Sequence, residues 1–169
     1  MFFLCVVVYL ISGVMKLQLV KYLCGSCKFE FSSPQLKVGS YAEFLLRSKS
    51  RDDIVYLNAI EDKTYDEVDV LIKSNPKLKG KSGNIYASIL RKSYGAIACD
   101  PSKQGGGYQI GALPVCPSCC SQSMDYWEFI EPPEFVDRFV SHVTHSGWEG
   151  LNMSEKIKKV DMVLSEFGY

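Results

Sequence analysis

The chain has 169 residues, 47% of them hydrophobic, which is enough to bury a core and excludes a disordered chain. Its nineteen basic and nineteen acidic side chains give a formal net charge of zero, which excludes a global field that attracts nucleic acid or anionic lipid. Charge is nevertheless segregated, because residues 16–51 and 70–120 are basic whereas residues 52–69 and 121–169 are acidic. We expect these blocks to pack beside each other or to stay solvated.

The first residues form a hydrophobic N-terminal segment over 1–14, and Lys16 is the first charged residue. The apolar stretch is short for a transmembrane helix and reaches the edge of that range only when it is counted through Val20. Three interpretations stay open: translation that begins at Met15, which we favour, a membrane anchor over 2–20, and a signal peptide. The last lacks a basic leading region and a small-residue cleavage site.

From Leu17 the pattern predicts a strand, a Cys-x-x-Cys turn and a second strand that ends near Phe31. The elements predicted next are strands over 41–47 and 54–60, a helix over 65–74, a basic loop over 77–83 and a short helix over 84–95. Thr64 and Glu67 predict a capping box for the first helix, Asn84 caps the second and Gly95 ends it. The Gly105-Gly106-Gly107 run lacks the Lys of a phosphate loop, so we interpret it as a flexible loop.

The C-terminal third begins with a strand predicted over 126–130, which Pro132 and Pro133 end. Apolar residues then recur at helical spacing, which predicts a helix from Pro133 to about His145. The residues at this spacing are Phe135, Val136, Phe139, Val140 and Val143. A capping box of Asn152 and Glu155 precedes a clearly amphipathic C-terminal helix.

Four of the seven cysteines lie in two Cys-x-x-Cys pairs, Cys24 with Cys27 and Cys116 with Cys119. Each pair places two thiolates on a tight turn, and two such turns supply the four tetrahedral ligands of one zinc ion. Such a site is closed, because no ligand position is left for a substrate. We therefore predict one structural zinc ion, in preference to iron in the same shell, to redox-active dithiols or to disulfides.

These knuckles resemble those of the rubredoxin-like zinc ribbons, in which Cys-Pro-x-Cys is a typical second knuckle. Cys120 stands where such knuckles usually have Gly. The resemblance covers about residues 17–31 and 113–130 and implies a β-hairpin core that holds the metal. Together with the elements predicted above, it gives an α+β protein with an α/β insertion over 32–112 between the knuckles and two C-terminal helices. We expect residues 15–169 to form a single domain of this type.

Joining the two knuckles across residues 28–115 is energetically acceptable. Closing a flexible loop of that length costs about 4 kcal/mol. Structural zinc contributes about 10–16 kcal/mol in small peptides at neutral pH. Zinc binding therefore outweighs the cost of closing the loop.

The remaining metal-ligating or nucleophilic residues show no second pattern. Cys5 and Cys99 fit small buried hydrophobes, and Cys120 would ligate only at an unusual spacing. His142 and His145 would lie one helical turn apart, but no carboxylate at a matching spacing supports a second metal site. No catalytic set is identified around either histidine.

The leading hypothesis is a non-catalytic structural-zinc protein that acts through contacts with a protein partner, with a cytoplasmic location unless residues 2–20 anchor it in a membrane. The first alternative is a nucleic-acid-binding ribbon that uses the basic segment 73–92, with Tyr86 and Tyr94 as stacking residues. Its candidate contacts are Lys77, Lys79, Lys81, Arg91 and Lys92. The second alternative is an enzyme of unknown reaction carried by the insertion.

Overall fold

The computed structural model describes residues 13–49 and 53–169. The predictions for Cys5 and for most of segment 1–14 lie outside these residues. The strands are β1 (Val14–Cys24), β2 (Glu30–Gln35), β3 (Glu43–Arg47), β4 (Ile54–Asn58), β5 (Gln109–Ile110), β6 (Met124–Phe129) and β7 (Phe135–Phe139). The helices are α1 (Lys63–Ser74), α2 (Gly83–Ala98), the single turn α3 (Ser146–Glu149) and α4 (Met153–Glu166), with a 3-10 turn over Pro76–Leu78. The protein is thus mixed α and β with antiparallel sheets.

Sheet A is built around β1, the long strand that leads into the first knuckle. One edge of β1 pairs with β2. The other edge pairs with β6 along its C-terminal half and with β7 along its N-terminal half. The backbone N–H of Leu19 donates to Glu134 O at 2.8 Å between these two ladders. Strands β6 and β7 therefore line β1 as one interrupted strand.

Sheet B contains β4, β3 and β5 in that order, and it carries the larger core. One face packs against the helices through fully buried side chains that include Leu46, Leu57, Ile72, Tyr94, Ile97, Trp148 and Leu164. The opposite face presents Leu45, Ile54 and Tyr56 to Leu17 of sheet A. Alternation along β3 and β4 thus serves two cores, because successive side chains point to opposite faces.

The helix predicted from Pro133 to His145 is wrong, because this segment forms β7 and an irregular connection. After β7 the chain forms the single turn α3 and then the long helix α4, so only the second of the two predicted C-terminal helices is present. The apolar residues of the segment follow helical spacing and not strand alternation, because Asp137 shares a strand face with Phe135 and Phe139. The deciding factor is non-local, since the unpaired N-terminal half of β1 offers hydrogen bonds to β7 from Val14↔Phe139 to Gln18↔Phe135.

Two of the predicted helix ends also differ from the structure. Asp62, and not Thr64, caps α1, because its carboxylate accepts the N–H of Tyr65 at 2.9 Å. Helix α2 follows Ser82 and continues past Gly95 to Ala98. A Cβ on Gly95 would lie 1.8 Å from Tyr108 O, so this glycine permits the close approach of another segment.

The predicted capping box of α4 is confirmed. The Asn152 side chain accepts from the N–H of Glu155 at 3.1 Å, and the Glu155 carboxylate accepts from the N–H of Asn152 at 2.8 Å. Residues 14–20 of the possible anchor lie in β1. No helix within the two described ranges is long and apolar enough to cross a membrane.

Candidate metal centre

The first knuckle is a tight turn that follows directly from the end of β1. The N–H of Cys24 donates to Phe29 O at 3.0 Å, and the N–H of Lys28 donates to Cys24 O at 3.0 Å. Lys28 has a φ of 60°, in the left-handed region that the turn requires after its second cysteine. The two hydrogen bonds bring the sulfurs of Cys24 and Cys27 to the same side.

The second knuckle repeats this geometry residue for residue. The N–H of Cys116 donates to Ser121 O at 2.8 Å, and the N–H of Cys120 donates to Cys116 O at 2.9 Å. Cys120 has a φ of 61° and is thus the counterpart of Lys28. This explains the preference for glycine at such a position, because a side chain raises the energy of the left-handed conformation.

Hydrogen bonds join the two knuckles directly. The N–H of Gly25 donates to Ser123 O at 2.8 Å, and the Ser26 hydroxyl donates to the Ser121 hydroxyl at 2.9 Å. Lys28 forms an ion pair with Asp125. These contacts were not predicted from the sequence, because each joins residues about a hundred positions apart and has no local signal.

The structure brings the sulfurs of Cys24, Cys27, Cys116 and Cys119 within 4.8 Å of one another. The Cys24 and Cys119 sulfurs are 3.5 Å apart, and those of Cys27 and Cys116 are 3.7 Å apart. A tetrahedral ion with metal–sulfur bonds of about 2.3 Å requires sulfurs separated by about 3.8 Å. The four residues therefore fit the shell of one metal ion.

Burial of the four ligands is asymmetric. Cys24 and Cys116 are completely buried, whereas Cys27 and Cys119 are exposed. The centre thus lies at the protein surface, with its inner two sulfurs anchored below the knuckle turns. Four sulfurs complete a tetrahedral shell, so the arrangement suits a metal that stabilises structure and leaves no position for substrate.

The thiols differ strongly in acidity. The backbone N–H groups of Cys27 and Ser26 lower the pKa of Cys24 to about 6, against the opposing effect of desolvation. At Cys119 the backbone N–H of Ser121 lowers the pKa, but hydrogen bonds with Cys27 and the other thiols, together with desolvation, raise it to about 12. The cluster does not release all four protons easily by itself, and a divalent cation would compensate the charge.

The other cysteines play different parts in the structure. Cys99 is half-buried beside the larger core, and desolvation raises the pKa of its thiol to about 12. Cys120 is exposed and follows the last ligand of the cluster. Within the described residues, the four knuckle cysteines form the only cluster of three or more potential metal ligands.

The two histidines lie on the connection between β7 and α3 and not on a helix. His142 contacts the Tyr56 ring edge-on, with ring centres 5.0 Å apart. His145 is nearly buried, and its nitrogens lie 2.9 Å from Ala98 O and 2.9 Å from an Asp62 carboxylate oxygen. His145 therefore connects α1, α2 and α3, and the possible second metal site at this pair is absent among the described residues.

The cations of the basic segment 73–92 are all exposed, but two of them are paired with carboxylates. Lys73 pairs with Asp69 on α1, and Lys77 reaches Asp161 on α4 at 2.9 Å. The remaining candidates, Lys79, Lys81, Arg91 and Lys92, are exposed. Partial neutralisation by α4 agrees with the expectation that oppositely charged blocks pack together.

Comparisons with protein-family models, with curated proteins and with solved structures find no match to this chain. The class of site is therefore defined by the chain's own geometry, as a four-cysteine cluster of the Cys-x-x-Cys type that could hold one metal ion.

Proposed function

We propose that this protein is a non-catalytic, structural-zinc protein that acts through contacts with a protein partner. The observation that carries the metal assignment is the convergence of four cysteine sulfurs within 4.8 Å of one another, with two of the separations at 3.5 and 3.7 Å. Zinc is the metal that four thiolates bind most commonly in closed structural sites. Iron can occupy the same shell, so the identity of the metal is one outcome of the experiment below.

Support for a partner comes from an aromatic face on sheet A. Pairing places Trp127 opposite Tyr22, Phe129 opposite Val20, and Phe135 opposite Gln18. These three β1 residues alternate with their neighbours, so their side chains and those of their partners lie on one face. We call this set, together with Phe139, the aromatic face.

The β6 and β7 members of the aromatic face are open to solvent, whereas Val20 and Tyr22 of β1 are buried beside them. Trp127 is 53% exposed and Phe139 is 60% exposed. Contiguous exposed apolar surface of this kind marks interaction sites, and aromatic residues are enriched in protein interfaces. Cys24 lies at the end of the same face of β1, so the metal centre would hold the strand that presents these residues.

The metal is tested by elemental analysis of protein purified without added metal and dialysed mildly. We expect one equivalent of zinc per chain. Iron at one equivalent, with its visible absorption, would change the metal but keep the four-sulfur site. A metal-free protein with four unmodified thiols and an unchanged fold would contradict the site itself.

The partner is tested by cross-linking in the native host with a matched pair of variants. Replacing Trp127 and Phe135 by Ser should abolish a stoichiometric cross-linked complex, while the control Ile60→Ser should keep it, because Ile60 is 66% exposed but lies away from sheet A. Circular dichroism and zinc content should match in both proteins. A complex that survives loss of the aromatic side chains would contradict this role for the face.

Nucleic-acid binding through residues 73–92 remains the first alternative, and an enzyme carried by the insertion the second. The nucleic-acid alternative ranks lower because Lys77 already pairs with Asp161. We expect weak binding or none at 150 mM salt, which is about physiological ionic strength. Tight binding that is lost when Lys77, Lys79 and Lys81 are changed to Glu would reverse this ranking.

A further inference from the structure

A cavity of about 610 Å³ lies between three chain segments. Its walls are the start of β4, the connection that follows α2, and the connection that precedes α3. The volume falls in the range of about 300–1,000 Å³ that is typical of small-molecule sites. None of the metal-centre cysteines lines it.

Two carboxylates in the wall already have hydrogen-bond partners. Asp100 accepts the N–H groups of Ser146 and Gly147 at 2.9 and 2.8 Å. Asp53 accepts the Tyr108 hydroxyl at 2.7 Å. Asp100 therefore already accepts two N–H groups, and Asp53 accepts one hydroxyl.

The donor side chains at the mouth of the cavity, unlike these carboxylates, have no hydrogen-bond partner among the described residues. The side chains of Lys103, Gln104 and Ser141 have no hydrogen bond or ion pair to any other residue among those described. The ring nitrogens of His142 also lack a hydrogen bond there, since its contact with Tyr56 is between ring edges and faces. These donor side chains belong to two segments, line the same cavity and are exposed to solvent.

The inner wall is mostly apolar. Ile54, Val55 and Val143 line it, together with Pro101 and the half-buried Cys99. Desolvation raises the pKa of the Cys99 thiol to about 12, so this group adds no charge at neutral pH. A ligand would therefore meet donors at the entrance and apolar surface beyond them.

We propose that this cavity binds a small organic oxyanion, with its carboxylate or phosphate group at Lys103 and His142 and a compact apolar body against Ile54 and Val143. The charged oxygens would take the free donors, because hydrogen bonds between ionised partners are the strongest available there. The two carboxylates lie on the wall as fixed charges, so the anion must stay at the mouth and a ligand of high negative charge is disfavoured.

The proposal is tested by calorimetric titration of the full chain with benzoate, phenyl phosphate and benzylamine, which share a ring and differ in the charged group. We expect benzoate or phenyl phosphate to bind and benzylamine not to bind, and the stronger of the two anions identifies the carboxylate or phosphate class. Amide chemical-shift changes should map to residues 53–55, 99–104 and 141–144.

Two variants locate the charged group. Lys103→Gln should weaken binding about tenfold to a hundredfold, since a hydrogen bond to a charged group contributes about 1.5–3 kcal/mol. The control Lys92→Gln removes an exposed lysine that does not line the cavity and should leave the affinity unchanged. Absence of binding by both anions at millimolar concentration, tighter binding of benzylamine, or equal losses in the two variants would overturn the proposal.

Discussion

Sheet A and sheet B are stabilised in different ways. Sheet B is covered by helices on one face and by sheet A on the other, and side chains such as Leu46 and Leu57 are almost completely buried. Sheet A buries Leu17 on one face, but its aromatic face leaves Trp127 half exposed. Burial therefore stabilises sheet B and the helices that cover it. The end of sheet A next to the knuckles depends instead on hydrogen bonds and on the cysteine cluster.

The largest expected effect comes from breaking the cysteine cluster. Cys116→Ser should abolish retention of the metal and lower the free energy of unfolding by about 4 kcal/mol or more, because an incomplete shell loses the metal's contribution to folding. Zinc content and thermal melting measure this. Hydrogen exchange should accelerate first in β1 and β6, which carry and follow the knuckles.

Cys99→Ala and Cys120→Ala are the matched controls for this change, because neither thiol belongs to the cluster. Both variants should keep one equivalent of metal. Equal metal loss in all three proteins would show that the ligand set is wrong.

The core between sheet B and the helices is tested by Leu164→Ala, which removes a completely buried side chain of α4. The free energy of unfolding should fall by about 2–5 kcal/mol, because a cavity remains in the larger core. Metal content should not change, since Leu164 packs with the helices and not with the knuckles. Denaturant unfolding combined with elemental analysis checks both results, and loss of metal here would mean that the two halves are not separable.

A smaller effect is expected at Asp100, which attaches the start of α3 to the end of α2. Hydrogen bonds from Thr144, Gly147 and Ser146 lower the pKa of Asp100 from 3.8 to about 2. Its contribution to stability is therefore complete above pH 4 or so, and is lost as the pH falls towards about 2.

Asp100→Asn should destabilise the protein by about 1 kcal/mol at neutral pH, because a neutral amide oxygen accepts these N–H groups more weakly than a carboxylate does. The difference from the unchanged protein should shrink as the pH falls from about 4 to about 2. Denaturant unfolding at several pH values measures this. A difference that stays constant over this pH range would contradict the role assigned to the charged carboxylate.

The smallest effect concerns the paired left-handed positions of the two knuckles. Relieving the left-handed conformation at Cys120 by Cys120→Gly favours the folded state by about 1–2 kcal/mol, partly offset by about 0.4–1 kcal/mol of extra unfolded-state entropy. We expect a slightly higher melting temperature with unchanged metal content.

Lys28→Gly relieves the same conformation but also removes the ion pair with Asp125. It should therefore gain less than Cys120→Gly. Thermal melting of the two variants side by side tests the equivalence of the knuckles, and a loss of stability in Cys120→Gly would contradict it.

The parts of the fold that the sequence predicts well carry a local signal. Alternating apolar residues identified β1 and β6, short runs of aliphatic and aromatic residues identified β3 and β4, and the capping box of Asn152 and Glu155 identified the start of α4. Each of these predictions depends on residues only a few positions apart, where side-chain period and turn chemistry act directly. The meeting of Cys24 and Cys27 with Cys116 and Cys119 was predicted from the chemistry of a four-sulfur metal site, because each pair alone supplies only two ligands.

The incorrect predictions concern features that depend on partners far away in the chain. The apolar residues between Phe135 and Val140 follow a helical period, but hydrogen bonding to the open edge of β1 makes this segment a strand. Asp62 replaces Thr64 as the cap of α1 and also contacts His145. Gly95 does not end α2. It lies within the helix, where the absence of a side chain lets the Tyr108 carbonyl oxygen come close.

From the sequence alone, the two Cys-x-x-Cys turns predicted which four cysteines form the candidate metal cluster, because such a turn fixes the spacing of two sulfurs locally. Only the tertiary structure decided which face of sheet A stays open, how the two knuckles are hydrogen-bonded to each other, and which side chains surround the cavity beside Lys103 and His142. These features join segments that are dozens of residues apart, and backbone hydrogen bonding and burial across such distances leave no periodic pattern in either segment.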